Sequence, residues 1–380
     1  MLRLIALIAL IHLYIGWRLL PDLHFGTGGA VAMILLLVFS GGAMPFAEFA
    51  RRNKHSPMSD YLAGAGFLAM GFFSSLLILT LLRDVVLIAA FAASGSFIDV
   101  ASLLQLQTWS AAGVPAAAAF VTIVGFVNAR RRARVRHIDV PIAGLPARLH
   151  GFSIVQISDI HVGSTIKNGY VSRIVDAVND LEADLIAVTG DLVDGSVQRL
   201  AAHTAPLARL TARHGAYFVT GNHEYYSGAN AWIVEIRRLG LNVLLNEHAV
   251  LDHDGEAVII AGVTDYSAHH FDPAHRSDPA AALAGAPDLA TVKVLLAHQP
   301  RSAFAAAKAG YHLQLSGHTH GGQFFPWNLV VKLMQPFTAG LHRLDDLWVY
   351  VSRGTGYWGP PKRFGAPSEI TRLRLVRAVA

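Results

Sequence analysis

Four stretches in the first third of this chain are apolar enough and long enough to lie in lipid, and that fixes what the backbone there can do. They cover about residues 4–20, 30–50, 61–82 and 111–128. The hydrocarbon core of a bilayer supplies no water to backbone amides, so unbroken apolar runs of this length predict membrane-spanning helices. The apolar excess, 53% of residues against 15% charged and a mean hydropathy of +0.41, sits before about residue 128. Arg3 followed by an apolar run has the form of a secretory leader. No clear small-residue cleavage site follows and more spans come after, so the run is read as retained. The third span is expected to end at Arg83-Asp84, with residues 85–93 lying at the interface. Glu48, near the end of the second, is expected at the same boundary. The four spans are expected to lack a buried polar chain, which gives a transporter little support.

The net charge of +5 is gathered mostly in two clusters, Arg51-Arg52-Asn53-Lys54 and residues 130–136. Each follows a span. Basic residues are retained on the cytoplasmic side and attract anionic headgroups, so both loops are expected to be cytoplasmic with membrane lipids as partners. The chain is then a multi-pass protein of the cell's inner (plasma) membrane, with its C-terminal domain cytoplasmic. No nucleic acid partner is expected, because juxtamembrane anchoring explains the arginines. The absence of cysteine excludes disulfides and thiolate-bound zinc.

Composition becomes that of a globular domain near residue 137, which sets expected domains of 1–136 and 137–380. Strand-like runs fall at residues 152–158, 184–189, 217–220, 257–261, 292–297, 312–316, 348–352 and 370–376. Val171, Ile174, Val175, Val178 and Leu181 recur at helical spacing, as do Trp232, Ile236 and Leu239. Further helices are expected at residues 197–210 and 302–309, the latter stopped by Gly310. Alternating strands and helices followed by more strands predict an α/β sandwich.

Five short pieces follow strands of that domain: Asp159-Ile160-His161, Gly190-Asp191, Gly221-Asn222-His223-Glu224, His298, and Gly317-His318-Thr319-His320. Ligands gather at the carboxyl ends of strands in α/β sheets, so the five are expected at one edge. Residues two apart, such as Asp159 and His161, are expected to point the same way. Mixed carboxylate and imidazole ligands suit Mn, Fe or Zn. Two such ions attract a phosphate oxyanion and generate a nucleophile from water, without a serine or cysteine. Asp194 is read as a turn residue beyond Asp191, and His269, His270 and His275 as surface histidines. Lys362 and Arg363 are read as solvated charge ahead of a phosphate grip.

The order of these pieces, with the Gly-Asn-His-Glu and Gly-His-Thr-His blocks, resembles the calcineurin-like metallophosphoesterase superfamily from about Arg148 to the C-terminus. Gly-Gly-Gln at 321–323, Ser-Arg-Gly-Thr-Gly at 352–356 and residues 365–370 are similar to its membrane-anchored bacterial branch, the YkuE and YaeI type phosphodiesterases. The resemblance implies a four-layer α/β/β/α sandwich holding two divalent metal ions. Asp159, His161 and His320 would hold one metal and Asn222, His298 and His318 the other, with Asp191 bridging. His223, the catalytic residue, would stabilise the developing charge or protonate the leaving oxygen. It implies a hydrolase that cleaves phosphodiester or pyrophosphate bonds through a metal-bridging hydroxide. Tethering to a membrane points to a lipid-linked or nucleotide–lipid substrate. The alternatives are a catalytically silent metal-binding scaffold and a phosphomonoesterase for soluble substrates.

Overall fold

The computed structural model describes residues 2–24, 26–53, 57–94, 97–287 and 291–378. Lys54, and the side chains of Glu48, Arg51 and Arg52, lie outside the described residues. The chain divides into two compact units, residues 1–128 with 359–364, and residues 129–358 with 365–380.

The first unit contains helices α1 (Leu2–Leu19), α2 (Gly26–Asn53), α3 (Pro57–Ala92) and α4 (Val100–Arg130). All four are long and apolar enough to cross a bilayer. The third does not stop at Arg83-Asp84 as expected. It runs on for 36 residues, roughly 54 Å at 1.5 Å per residue. The charged pair is tolerated because it is paired. Arg83 reaches the Asp22 carboxylate, the Arg18 carbonyl at 2.8 Å and Ser110 Oγ at 2.9 Å, while Asp84 accepts from Arg18 Nε at 2.9 Å. The expected lack of buried polar groups is also corrected. His12 Nε2 lies 3.2 Å from Ser40 Oγ, and its ring stacks on Phe73. Lys362 and Arg363 are not solvated either, since both are buried in this unit. Lys362 Nζ donates to the Gly71 carbonyl at 2.8 Å and to Ser75 Oγ. The Lys362 ammonium thus has acceptors, which is what makes its burial bearable.

The second unit carries strands β1 (Arg134–Ile142), β2 (Ser153–Ile157), β3 (Leu185–Val188), β4 (Ala216–Phe218), β5 (Asn242–Val243), β6 (Glu247–His253), β7 (Glu256–Gly262), β8 (Val292–Leu296), β9 (Leu313–Ser316), β10 (Gly340–Leu344), β11 (Leu347–Val351) and β12 (Glu369–Arg377). Its helices are α5 (Asn168–Asn179), α6 (Val197–Thr204), α7 (Asn222–Ser227), α8 (Ala229–Arg238), α9 (Ala303–Lys308) and α10 (Trp327–Met334). The strands form two six-stranded sheets, ordered β1-β12-β2-β3-β4-β5 and β10-β11-β9-β8-β7-β6.

Strand alternation builds the layers. Ile154, Leu185, Ala187 and Tyr217 of the first sheet meet Val258, Ile260, Val294 and Leu296 of the second in one core. Their neighbours Val155, Ile157, Ile186, Val188 and Phe218 point the other way, onto Val171, Ile174, Val175 and Val178 of α5 and Trp232 and Ile236 of α8. On the far side Ile259, Ala261 and Leu295 pack with Ala303 and Ala306 of α9. Successive strand residues face opposite sides, so these three cores give a helix–sheet–sheet–helix sandwich, as expected. β2, β3 and β4 are parallel neighbours, as are β8 and β9. Their carboxyl ends lead into the loops that bear the five pieces.

Candidate metal centre

The loops after β2 and β3 are laced together before any ligand is considered. The Asp159 N–H donates to the Gly190 carbonyl at 3.0 Å and the His161 N–H to the Asp191 carbonyl at 3.1 Å. This pairing does not continue the strand. Asp159, His161, Asp191, His318 and His320 all sit at positive φ, between 51° and 71°. The expectation that Asp159 and His161 project together from an extended strand end is therefore corrected. Left-handed backbone turns each ligand sharply off its strand, at a cost of about 1–3 kcal/mol per residue. Gly221 and Gly317 permit the loops to close. A Cβ on Gly221 would lie 2.2 Å from Asp191 Oδ1, and one on Gly317 would lie 2.0 Å from Ser158 Oγ.

Three groups of donors result, each with ligand atoms within 4.8 Å of one another: Asp159, His161 and His320; Asp191, His298 and His318; and His161, Asp194 and His223. His161 Nε2 stands 3.1 Å from His320 Nε2, and His320 Nε2 stands 3.5 Å from Asp159 Oδ1. In the second group His298 Nε2 stands 3.1 Å from Asp191 Oδ2 and 3.2 Å from His318 Nδ1. Asp191 Oδ2 also lies 3.9 Å from His161 Nε2, so its carboxylate faces the first two groups. Asn222 opens α7 beside them, with its Oδ1 buried and without a hydrogen-bond partner. All eight expected residues are thus in place around one edge of the sandwich.

The donors fit cations. His298 Nδ1 lies 2.8 Å from the Thr189 carbonyl, which only accepts, so Nδ1 carries the proton. In the neutral ring the lone pair on Nε2 then faces the Asp191 oxygen. Two acceptors at that distance repel unless a proton or a cation lies between them. Burial alone lowers the His298 pKa, yet Asp191 lifts it well above the ordinary imidazole value. Burial alone raises the Asp191 pKa, yet His298 and His223 pull it well below the carboxylate range. The site demands positive charge. The orphan Asn222 oxygen is a further neutral donor suited to a divalent ion.

Two residues given no ligand or catalytic role in the sequence reading also belong here. Asp194 is not a turn residue alone. Its Oδ1 accepts from His223 Nδ1 at 2.6 Å and from His161 Nδ1 at 3.1 Å, which sets the tautomer of both rings. Burial opposes its charge, but the two histidines hold its pKa down. Its signal was the Asp-x-x-Asp spacing from Asp191. Glu224 is fully buried, and its carboxylate accepts the backbone N–H groups of Gly221 at 2.6 Å, Leu192 at 2.7 Å and Asp191 at 3.0 Å. Burial and the nearby Asp191 push its pKa up to about 8. The three N–H donors resist that shift, and they clamp one ligand loop to the next.

His223 shares the third group with His161 and Asp194, its ring centroid 4.7 Å from that of His161. Burial lowers its pKa, but Asp191 and Asp194 raise it to about 9. Tyr226 and Trp358, both more than half exposed, lie with ring centroids 5.1 and 5.7 Å from it. His270 is exposed and His269 half-buried, and His275 Nδ1 lies 2.8 Å from the Tyr225 hydroxyl.

Residues 152–322 match the family model described as calcineurin-like phosphoesterase. A transmembrane protein with metallophosphoesterase domain from Danio rerio is 38% identical over 268 residues, covering 68% of this chain and 61% of that protein. The uncharacterized metallophosphoesterase YkuE of Bacillus subtilis is 30% identical over 239 residues, covering 61% of this chain and 81% of that one. Among solved structures, the NAD nucleotidase of Haemophilus influenzae aligns with TM-score 0.40 and 18% identity, over 54% of this chain and 50% of that one. The chain spans 61% and 63% of the length of the two transmembrane relatives, from Danio rerio and Bos taurus. On this ordered ligand set, the matching family model and relatives similar over most of their own length, the chain belongs to the calcineurin-like metallophosphoesterase family.

Proposed function

We propose that this chain is a membrane-bound phosphoesterase with two divalent ions, Mn, Fe or Zn, that hydrolyses phosphodiester or pyrophosphate bonds. Asp159, His161 and His320 would hold one ion, Asn222, His298 and His318 the other, and Asp191 would bridge. The observation that supports this reading is the Asp191 carboxylate set between two ligand groups, 3.1 Å from His298 Nε2 and 3.9 Å from His161 Nε2, with His298 Nε2 turned onto it by the Thr189 carbonyl. Divalent ions held there supply Lewis acidity toward a phosphoryl oxygen and lower the pKa of water.

The chain's own side chains do the rest. Asp194 keeps the proton of His223 on Nδ1, so Nε2 is the atom left to donate a proton to the leaving oxygen. The same carboxylate fixes His161 with Nε2 toward the ligand group. Glu224 holds the two loops in register while charge changes beside them. Tyr226 and Trp358 flank His223 on the leaving-group side, with Phe271 5.5 Å beyond Tyr226. These rings support a leaving group with apolar or planar bulk, as in a diester or a lipid pyrophosphate. The reading divides the chain into a membrane region, 1–136, and a catalytic domain, 137–380. Basic residues at 130–136 support a cytoplasmic catalytic domain on the inner membrane.

Detergent-purified protein loaded with Mn, Fe or Zn, assayed on lipid pyrophosphates, simple diesters and monoesters, tests the reading. Turnover of diesters or pyrophosphates is expected. Preference for soluble monoesters would replace the substrate class, and two bound ions without turnover on any ester would make the chain a silent scaffold.

A further inference from the structure

Helix α10 is built unlike the other helices of its unit. It reads Trp-Asn-Leu-Val-Val-Lys-Leu-Met, and none of its eight residues is buried. Leu333 is 89% exposed, Met334 61%, Leu329 50% and Trp327 48%, with Phe325 just before it at 44%. A helix this short is marginal in water by itself. It is held at both ends instead. The backbone of Asn328 packs on Gly322, two residues after the proposed ligand His320. Arg301 Nη2 caps the Met334 carbonyl at 2.6 Å. Thr319 Oγ1 donates to the Thr338 carbonyl at 2.6 Å, closing the base of the excursion. The structure thus presents an apolar helix on a fixed base instead of folding it onto a core.

We infer that α10 docks into the lipid–water interface of the bilayer in which this chain resides. The bilayer is the one apolar phase the chain cannot leave, since four of its helices are long and apolar enough to cross it. The chemistry of the helix fits that boundary. Trp327 is an amphipathic ring of the kind enriched at headgroup depth. Lys332 is exposed among the apolar residues, and Arg301 stands at the helix end. Residues 318–344 contain no Asp or Glu, so nothing in the segment opposes an anionic headgroup layer. Apolar residues on one side with basic residues alongside are the composition of helices that lie in the interface. A second copy of the chain or a separate protein would cover the same residues from an aqueous phase, and the test separates them.

The chain has no cysteine, so single reporters can be placed cleanly. Leu333→Cys and Met334→Cys, each labelled with an environment-sensitive dye, are compared with Asp180→Cys, an exposed position before β3 at the opposite end of the strands. The full-length protein is reconstituted in phosphatidylcholine–phosphatidylglycerol vesicles, with or without doxyl-labelled lipid. The expected result is a blue-shifted dye at 333 and 334 that shallow doxyl lipid quenches about twofold or more, and no quenching at 180. A blue shift that doxyl lipid leaves untouched, but that follows protein density, would assign the face to a second copy and overturn the inference. Solvent-like emission at both positions would overturn it as well. None of these readouts depends on turnover, so the inference and the phosphoesterase reading stand or fall separately.

Discussion

At Asp191 one carboxylate lies 3.1 Å from His298 Nε2 and 3.9 Å from His161 Nε2, and it also accepts the His223 N–H at 2.9 Å. Asp191→Asn is expected to empty both metal positions together, read by elemental analysis of the purified protein. Two ions retained at full activity would defeat the bridging assignment. His223→Gln should keep both ions and lose about 10²–10⁴ in kcat, the usual contribution of a general acid. Asp194→Asn removes the charge that orients His161 and His223. It should keep the fold and lower activity or metal affinity about 10–100-fold, seen as reduced kcat or a raised metal concentration at half activation. The pieces that hold the proposed ligands could be picked out in the sequence because each follows a strand. The roles of Asp194 and Glu224 could not, because their partners lie about thirty residues away and depend on left-handed turns that no spacing rule displays.

Strands and helices with a buried face were readable for the same reason that they are stable. Val171, Ile174, Val175 and Val178 repeat at helical spacing because all four enter one core. Trp232 of α8 lies in that core, and its Nε1 donates to the Gly195 carbonyl at 2.8 Å. Trp232→Ala should cost about 3–5 kcal/mol, as large-to-small core changes do, measured by denaturant unfolding. β1 was hidden by its own arginines, which face outward while Val140 and Ile142 enter the inter-sheet core. α10 was hidden because it has no core at all. His312, at the start of β9, gives a pH test. Its Nδ1 accepts the Lys293 N–H at 3.0 Å, and burial, then Lys293, lower its pKa below the ordinary 6.5. A depressed folded-state value means that its stabilisation is complete above pH 6.5 and is lost as the pH falls below it. His312→Asn keeps an acceptor without a titrating ring. The drop in Tm between pH 7 and 5 should be smaller in that variant than in the parent protein.

The proposed metal ligands come from both sheets, from the loops after β2, β3 and β4 on one side and after β8 and β9 on the other. Ions bound there would tie the two halves of the sandwich together. Chelation should therefore lower the stability of the second unit, by about 4 kcal/mol for a site a thousandfold above its Kd, with a fall in Tm as the measurement. Membrane sidedness is open to cysteine labelling in the same cysteine-free background. The four spans were legible from composition, but the length of α3 was not, since Arg83 and Asp84 read as a boundary until their partners are known. Residues 359–364 have a different consequence. They lie far along the chain, yet Lys362 sits among Gly71, Ser75 and Thr122 of the helical unit. Translation runs from the N-terminus, so the four helices are made and inserted well before their last buried cation exists. The helical unit is therefore complete only when residues 359–364 have been made. A version cut after α4 would lack the Lys362 side chain, and one begun after α4 would carry Lys362 without Gly71, Ser75 and Thr122. The boundary that looks natural for separating the two units is therefore a poor place to cut.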